Sequence, residues 1–293
     1  MTVARIENLE AFSLSLMSRP TKIMGILNVT PDSFSGDGLM SEANYVSKAI
    51  ECAKKFIEQG AHMLDIGGES TRPGATPIEL NEELSRVVPV VEALHETFPD
   101  VILSIDTTKA VVARAAIRAG ATLINDVSGL MMDPDMIAVV LEENVPVVLM
   151  HSQQGSSIQQ IDRAESLNKC GVTIDAIVAD DLDRLAIHAI SRGLTRHHII
   201  VDPGIGFAKT QEQNLELICK LDRIRNLGYP VLLGVSRKSF IGHVTGDPVS
   251  KRLPGSIAAA TIGVMNGAHI IRVHDVAETF QAIRVVNAVQ NAA

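Results

Sequence analysis

The chain has little cysteine, no long apolar run and no excess of positive charge, and each shortage excludes a class of protein. Cys52, Cys170 and Cys219 are an odd, widely spaced set with no CxxC pair. They read as reduced packing residues, not as disulfide staples or zinc ligands. No apolar stretch approaches the ~20 residues of a bilayer-spanning helix. Residues 1–20, with Glu7 and Glu10, lack the continuous apolar segment of a secretory signal. Lys+Arg total 26 against 34 Asp+Glu, a net charge of −8. That excludes a bulk basic surface for nucleic acid or anionic lipid, while leaving room for a local cationic pocket. What remains, 46% hydrophobic and 20% charged residues over 293 positions, is the make-up of a globular, cytoplasmic protein that buries its own core.

Short, evenly apolar, β-branched runs recur along the chain, each ending on a polar residue: Ile23–Asn28, His62–Asp65, Val101–Asp106, Thr122–Asn125, Val145–His151, Ile199–Asp202, Val231–Ser236 and Ile270–His274. Such runs predict strands buried on both faces. Helical stripes fall between them. Tyr45, Val46, Ala49, Ile50, Ala53, Phe56 and Ile57 share one face and stop at Gly60; Leu84 to Leu94 repeats the pattern, with a kink expected at Pro89. Further helices are expected over Ala110–Ala119, Pro134–Glu143, Ile174–Ala189, Leu215–Leu227 and Ile257–Asn266, and from Val276 through Val286. Most strand-to-strand intervals accommodate the ~30 residues of a βαβ unit. Eight strands alternating with eight helices predict an α/β fold, a single-domain (β/α)₈ TIM barrel over residues 21–293, behind an N-terminal extension at 1–20. A doubly wound open sheet would want a Gly-rich dinucleotide fingerprint after an early strand, and none is present.

In such a barrel the chemistry sits at the C-terminal ends of the strands. Those ends are Asn28, Asp65, Asp106, Asn125 with Asp126, His151, Asp202, Ser236-Arg237-Lys238 and Arg272-Val273-His274. One Asp alone reads as a helix cap or a turn residue. Capping does not call for Asn28, Lys238, Arg272 and His274 at the same rim, so the set predicts a site for a polar, anionic ligand. The loops after the first two strands, residues 28–38 and 67–74, are long and carry glycines, hydroxyls and charges suited to phosphate oxygens or Mg²⁺. The remaining histidines read as surface or rim residues, His151 as intermediate, and the methionines as packing, with Met150 a candidate for contact with a bound ring.

Two segments, Met24-Gly25-Ile26-Leu27-Asn28-Val29-Thr30-Pro31-Asp32-Ser33-Phe34 and Asp65-Ile66-Gly67-Gly68-Glu69-Ser70-Thr71-Arg72-Pro73-Gly74, resemble the signatures of the dihydropteroate synthase family. Ser104-Ile105-Asp106-Thr107, Ile124 to Gly129, Val201 to Phe207, Ser236 to Phe240 and Arg272 to Asp275 follow in matching order. The resemblance implies a transferase that joins (7,8-dihydropterin-6-yl)methyl diphosphate to p-aminobenzoate, with pyrophosphate leaving first and the arylamine trapping a pterin-stabilised cation. It implies that Asp106, Asn125, Asp202 and Lys238 meet the pterin edge, with Thr71, Arg272, Val273 and His274 completing the pterin diphosphate site. Arg72, Arg272 and His274 face the diphosphate, Arg through its planar fork of donors. Mg²⁺ is held in part by Asn28; Thr71, Pro73, Phe207 and Ser239 contact p-aminobenzoate. Asn28, Thr71, Arg72, Lys238, Arg272 and His274 form the implied catalytic set. Small-molecule substrates and a homodimer are implied as partners, with the small-residue helix Ile257–Met265 as a candidate interface; nucleic acid and membrane are not expected.

Three stretches depart from the family pattern: Ser35-Gly36-Asp37-Gly38, where the acidic residue is displaced by one place; the polar run Ser152 to Gln159 after Met150-His151; and residues 1–20. The competing class, a non-catalytic or methyltetrahydrofolate-presenting pterin-binding barrel, would share the polar rim but has no need of a diphosphate clamp. Thr30-Pro31-Asp32, Thr71-Arg72-Pro73 and Arg272-Val273-His274 favour the transferase.

Overall fold

A computed structural model of the chain describes residues 6, 8–29, 42–69, 77–152 and 171–292. In chain order its elements are α1 (Leu9–Met17), β1 (Lys22–Asn28), α2 (Glu42–Glu58), β2 (Met63–Gly67), α3 (Leu80–Thr97), β3 (Ile102–Asp106), α4 (Ala110–Ala119), β4 (Leu123–Asp126), α5 (Met136–Glu143), β5 (Val147–Met150) and α6 (Ile174–Ser191). They continue as β6 (Ile199–Asp202), α7 (Gln211–Cys219), α8 (Asp222–Arg225), β7 (Leu232–Gly234), α9 (Ser239–Thr245), α10 (Leu253–Met265), β8 (Ile270–Val273) and α11 (Val276–Asn291). All eight expected strands form, each with ends within two residues of expectation.

The strands are parallel, in the order β6-β5-β4-β3-β2-β1-β8-β7. A parallel bridge between Val201 and Val231 joins the two outer strands, with the Val201 N–H donating to Pro230 O at 2.9 Å. That bridge closes the barrel. Closure sends alternate side chains of every strand to opposite sides. Ile23, Leu27, Leu64, Ile66, Leu103, Ile105, Ile124 and Val147 face outward into the large core beneath the helices. Met24, Met63, Leu123, Val148, Ile200, Leu232 and Ile270 face inward and form a separate apolar floor.

One local outcome differs from the sequence-based expectation. The helix expected over Leu215–Leu227 is two helices. A capping box between Thr210 and Gln213 starts α7 earlier, and Lys220 leaves helical geometry at φ −107°, ψ 30°, delivering Leu221 to the core. α3 continues on both sides of Pro89.

Residues before β1 form a helix that sequence patterning did not single out. Asn8 caps α1 by accepting from Ala11 N at 3.0 Å. Leu16, 1% exposed, enters the floor cluster with Phe12 packed beside it. α1 is thus a plug under the barrel. Leu16→Ala should cost ~2–5 kcal/mol in urea unfolding, the range for a large-to-small core change. Leu14→Ala, on the exposed face of the same helix, should stay within ~0.5 kcal/mol.

Candidate active site

Two residues along each strand from the apolar floor, the same inward-facing rows change character. Met24 is followed by Ile26, Met63 by Asp65, Leu123 by Asn125, Val148 by Met150, Ile200 by Asp202 and Ile270 by Arg272. Ser104 of β3 stands opposite Asp65, and Gly234 of β7 opposite Arg272. A polar layer therefore lies directly on the floor, placed by the period of the strand.

Arg272 organises it. Its Nε donates to Asp65 Oδ2 at 2.6 Å and one Nη to Asp106 Oδ2 at 2.7 Å. The Asn125 amide donates to the same Asp65 oxygen at 2.9 Å. Asp65 and Asp106 are buried, and the second oxygen of each has no hydrogen-bond partner among the described residues. Burial pushes the Asp106 carboxyl up to about 7, against the pull of the guanidinium. One cation between two buried carboxylates leaves a negative charge uncompensated.

Across the mouth, Asp202 holds Gly204 N at 2.7 Å, and burial raises its carboxyl above the usual range. Lys238 donates to Ile205 O, and its Nζ stands 4.7 Å from the Phe207 ring centre. Burial pulls the Lys238 ammonium down to about 8 and the neighbouring Lys209 to about 7, with Asp202 opposing the shift at both. Lys238 follows Arg237, whose φ of 59° is left-handed. Arg237 is held there by its N–H to Ser256 Oγ at 2.8 Å and by paired contacts from its guanidinium to Asp275. Ser236 Oγ meets His274 Nδ1 at 3.0 Å.

Among the expected site residues, Asp106, Asn125, Asp202, Lys238, Phe207, Arg272 and His274 sit at the C-terminal ends of the strands and in the loops that leave them. Asn28 ends β1, half-buried, and Ser239 opens α9, exposed. Val273 carries its side chain into the outer core beneath the helices, because it is one residue out of phase with Arg272. Thr71, Arg72, Pro73, Asp37 and the run 153–159 lie outside the described residues. Arg272 was expected to face the diphosphate; two of its donors are instead committed to Asp65 and Asp106.

Asp65 is the residue the sequence reading named only as a strand end, although its alternation with Met63 already points it inward. Asp126 is a turn residue: its carboxylate accepts from Ser128 N and Leu130 N. His151 is buried with Nε2 3.4 Å from Asp181 Oδ2, and burial lowers its pKa, which keeps the ring neutral. Glu83, 1% exposed, accepts from Thr107 Oγ1 at 2.7 Å and from Lys109 Nζ at 2.5 Å. Lys109 also reaches Glu69, so β3 and α3 brace the exit of β2. These contacts join residues 24 to 40 positions apart, which no local pattern signals.

The fold and this rim define a (β/α)₈ barrel enzyme with a charged, polar site at the C-terminal ends of its strands. A family model described as pterin binding enzyme matches residues 24–274. The dihydropteroate synthase of Clostridium beijerinckii is 45% identical over 271 residues, covering 91% of this chain and 93% of the relative. That of Bacillus subtilis is 43% identical, covering 92% and 89%. The Xanthomonas albilineans dihydropteroate synthase solved with 4-aminobenzoic acid superposes with a TM-score of 0.82 at 41% identity, covering 94% of each chain. The same enzyme in complex with 7,8-dihydropteroate gives 0.80 at 39%, covering 94% and 95%. The chain belongs to the pterin-binding enzyme family and, within it, to the dihydropteroate synthases.

Removing the central cation tests this electrostatic account. Arg272→Met strands two buried carboxylates and should destabilise the fold by ~3–5 kcal/mol at pH 8. The Asp106 carboxyl, already raised by burial, loses the guanidinium that opposes the shift, so the folded state binds more protons than the unfolded one and stability recovers as pH falls. Urea midpoints at pH 8 and pH 5.5 should converge on wild type at the lower pH.

Proposed function

We infer that this chain joins (7,8-dihydropterin-6-yl)methyl diphosphate to p-aminobenzoate, releasing pyrophosphate and forming 7,8-dihydropteroate for folate synthesis. The observation that carries this reading is the pair of buried carboxylate oxygens, Asp65 Oδ1 and Asp106 Oδ1, without partners among the described residues. A pterin's aminopyrimidinone edge presents neighbouring N–H donors. Buried acceptors left unpaired cost ~1–3 kcal/mol each, and a ligand carrying that edge recovers the cost. Asn125, Asp202 and Lys238 supply the remaining polar complement, and Met150 packs at the level of Asp202.

In the reaction the methylene C–O bond to diphosphate breaks, the arylamine N–C bond forms, and the arylamine proton departs to solvent. The neutral arylamine is already nucleophilic, so the demand falls on holding a cationic pterin and stabilising the leaving group. Asp65 and Asp106, two carboxylates sharing one guanidinium, suit the first task together with Asp202. Arg72, Lys238 and His274 serve the second, with Arg272 ordering the carboxylates beneath. Phe207 and Pro73 clasp the arylamine ring, with Thr71 and Ser239 beside it. The bound 4-aminobenzoic acid and 7,8-dihydropteroate of the Xanthomonas albilineans enzyme support both halves of this assignment.

Mg²⁺ fits the donor set. Asn28, at the end of β1, would offer it one neutral amide oxygen at the rim. That suits an ion bound mainly through substrate phosphate oxygens and water. When bound, Mg²⁺ offsets the charge of the departing diphosphate. We assign a homodimer through the face where Ile262 and Met265 of α10 and Val285 and Val289 of α11 are at least half exposed. The small residues Ala259, Ala260 and Gly263 turn inward, with Gly263 against Leu233. The reducing cytoplasm is its setting, in keeping with the free thiols of Cys52 and Cys219. No helix among the described residues is long and apolar enough to cross a membrane.

A steady-state assay of pyrophosphate release with both substrates and Mg²⁺ tests the function. Release should require the pterin diphosphate and p-aminobenzoate together, and should stop on chelation with EDTA; release that ignores the arylamine would overturn the assignment. By calorimetry, Asp106→Ala should weaken pterin binding by ~1–3 kcal/mol, whereas unchanged affinity would remove Asp106 from the pterin pocket.

A further inference from the structure

Between β6 and α7 the chain passes through an unusual backbone. Gly204 and Gly206 have φ of +66° and +83°, and Ala208 has φ of +47°. A side chain at Gly204 is impossible, since a Cβ would stand 2.0 Å from His151 O. Such a loop turns carbonyls toward its own interior, where they need donors.

Lys209 supplies donors, and Asn214 supplies an acceptor for one of the loop's N–H groups. Lys209 Nζ donates to Gly204 O at 2.9 Å, Phe207 O at 3.2 Å and His151 O at 3.2 Å. An ammonium has three N–H donors, and here each has a carbonyl. Asn214, 1% exposed on α7, accepts from Gly206 N at 2.6 Å and donates to Thr210 O at 2.8 Å. The loop is thereby pinned to the end of β5 by Lys209 and to α7 by Asn214. Its tip residue, Phe207, is half-buried with its ring against Lys238 Nζ.

We propose that Lys209, seconded by Asn214, is the positioning residue for arylamine recognition: it fixes the 203–209 loop so that Phe207 meets the ring of p-aminobenzoate, without touching substrate itself. This rests on the reading that Phe207 clasps the arylamine. A surface salt bridge or a helix cap does not account for the geometry, because all three Lys209 acceptors are backbone carbonyls and two belong to the loop. With the ammonium replaced by an apolar group, three carbonyls lose their donor and the loop samples other shapes. The carboxylates Asp65 and Asp106 are held separately by Arg272, so the pterin site reaches this loop only through Asp202, which accepts from Gly204 N, and Lys238, which donates to Ile205 O.

The test is Lys209→Met, which keeps the length of the side chain and removes the donors. In the steady-state assay, KM for p-aminobenzoate should rise about tenfold, the factor that ~1.4 kcal/mol represents. KM for the pterin diphosphate should rise by a clearly smaller factor, because Asp65, Asp106 and Arg272 keep their contacts. An unchanged arylamine KM overturns the proposal, and so does an equal rise in both KM values, which would mean general loosening of the barrel. If Lys209→Met does not fold, Asn214→Ser loosens the other anchor and should give the same one-sided rise. Phe207→Ala is run in parallel. If it raises the arylamine KM while Lys209→Met does not, this inference alone fails; if Phe207→Ala is also silent, the placement of the arylamine beside Phe207 fails with it.

Discussion

Closing eight parallel strands into a barrel leaves every second side chain facing a confined interior, and the rest of the molecule answers to that constraint. Only a stack of layers fills the space. The lowest is apolar, and α1 seals it from below with Leu16. The next holds Asp65, Asn125, Asp202 and Arg272 on the same rows of the same strands. The site needs no scaffold of its own, because it is the upper part of the packed interior. Its rigidity comes from the strands rather than from loops.

Placing charge there carries an energetic obligation. A carboxylate inside a protein costs several kcal/mol unless it is paired, and the chain buries three at the mouth. Arg272 meets two of them at 2.6 and 2.7 Å, and Lys238 and Lys209 offset the third. The balance is incomplete by design of the geometry. One guanidinium cannot neutralise two carboxylates, and a second oxygen on each is left open. That residual polarity separates a binding site from a merely stable core, and it complements a donor-rich heterocycle with a developing positive charge.

Around this rigid layer the connecting segments are pinned at their roots. Glu83 and Lys109 brace the exit of β2, Arg237 and Asp275 lock the turn that presents Lys238, and Lys209 with Asn214 shapes the loop bearing Phe207. In each case a charged or amide side chain pairs with backbone groups or carboxylates at the root of the segment. The loop positions proposed to meet ligands are thus held by residues farther back in the loops.

The sequence by itself determined the eight strands, the barrel and the ring of polar strand ends, because all three follow from short-range rules. Buried parallel strands read as uniform apolar runs, βα alternation leaves few topologies, and the last residue of each strand must lie at one end. Asp106, Asn125, Asp202, Lys238 and Arg272 were legible for that reason, and the motif resemblance sharpened their roles. Tertiary structure alone decided which charges pair. Arg272 meets Asp65 and Asp106 across 207 and 166 residues of chain, and no pattern of periodicity carries information over that separation. It also decided phase. Val273 shares a motif with Arg272 and His274, yet points outward, since neighbours on a strand face opposite sides. The plug helix α1 went unread for a related reason: its one buried leucine has meaning only against a floor assembled from seven other strands' side chains. Local sequence specifies conformation, whereas the pairing of buried charges is settled by which surfaces closure brings together.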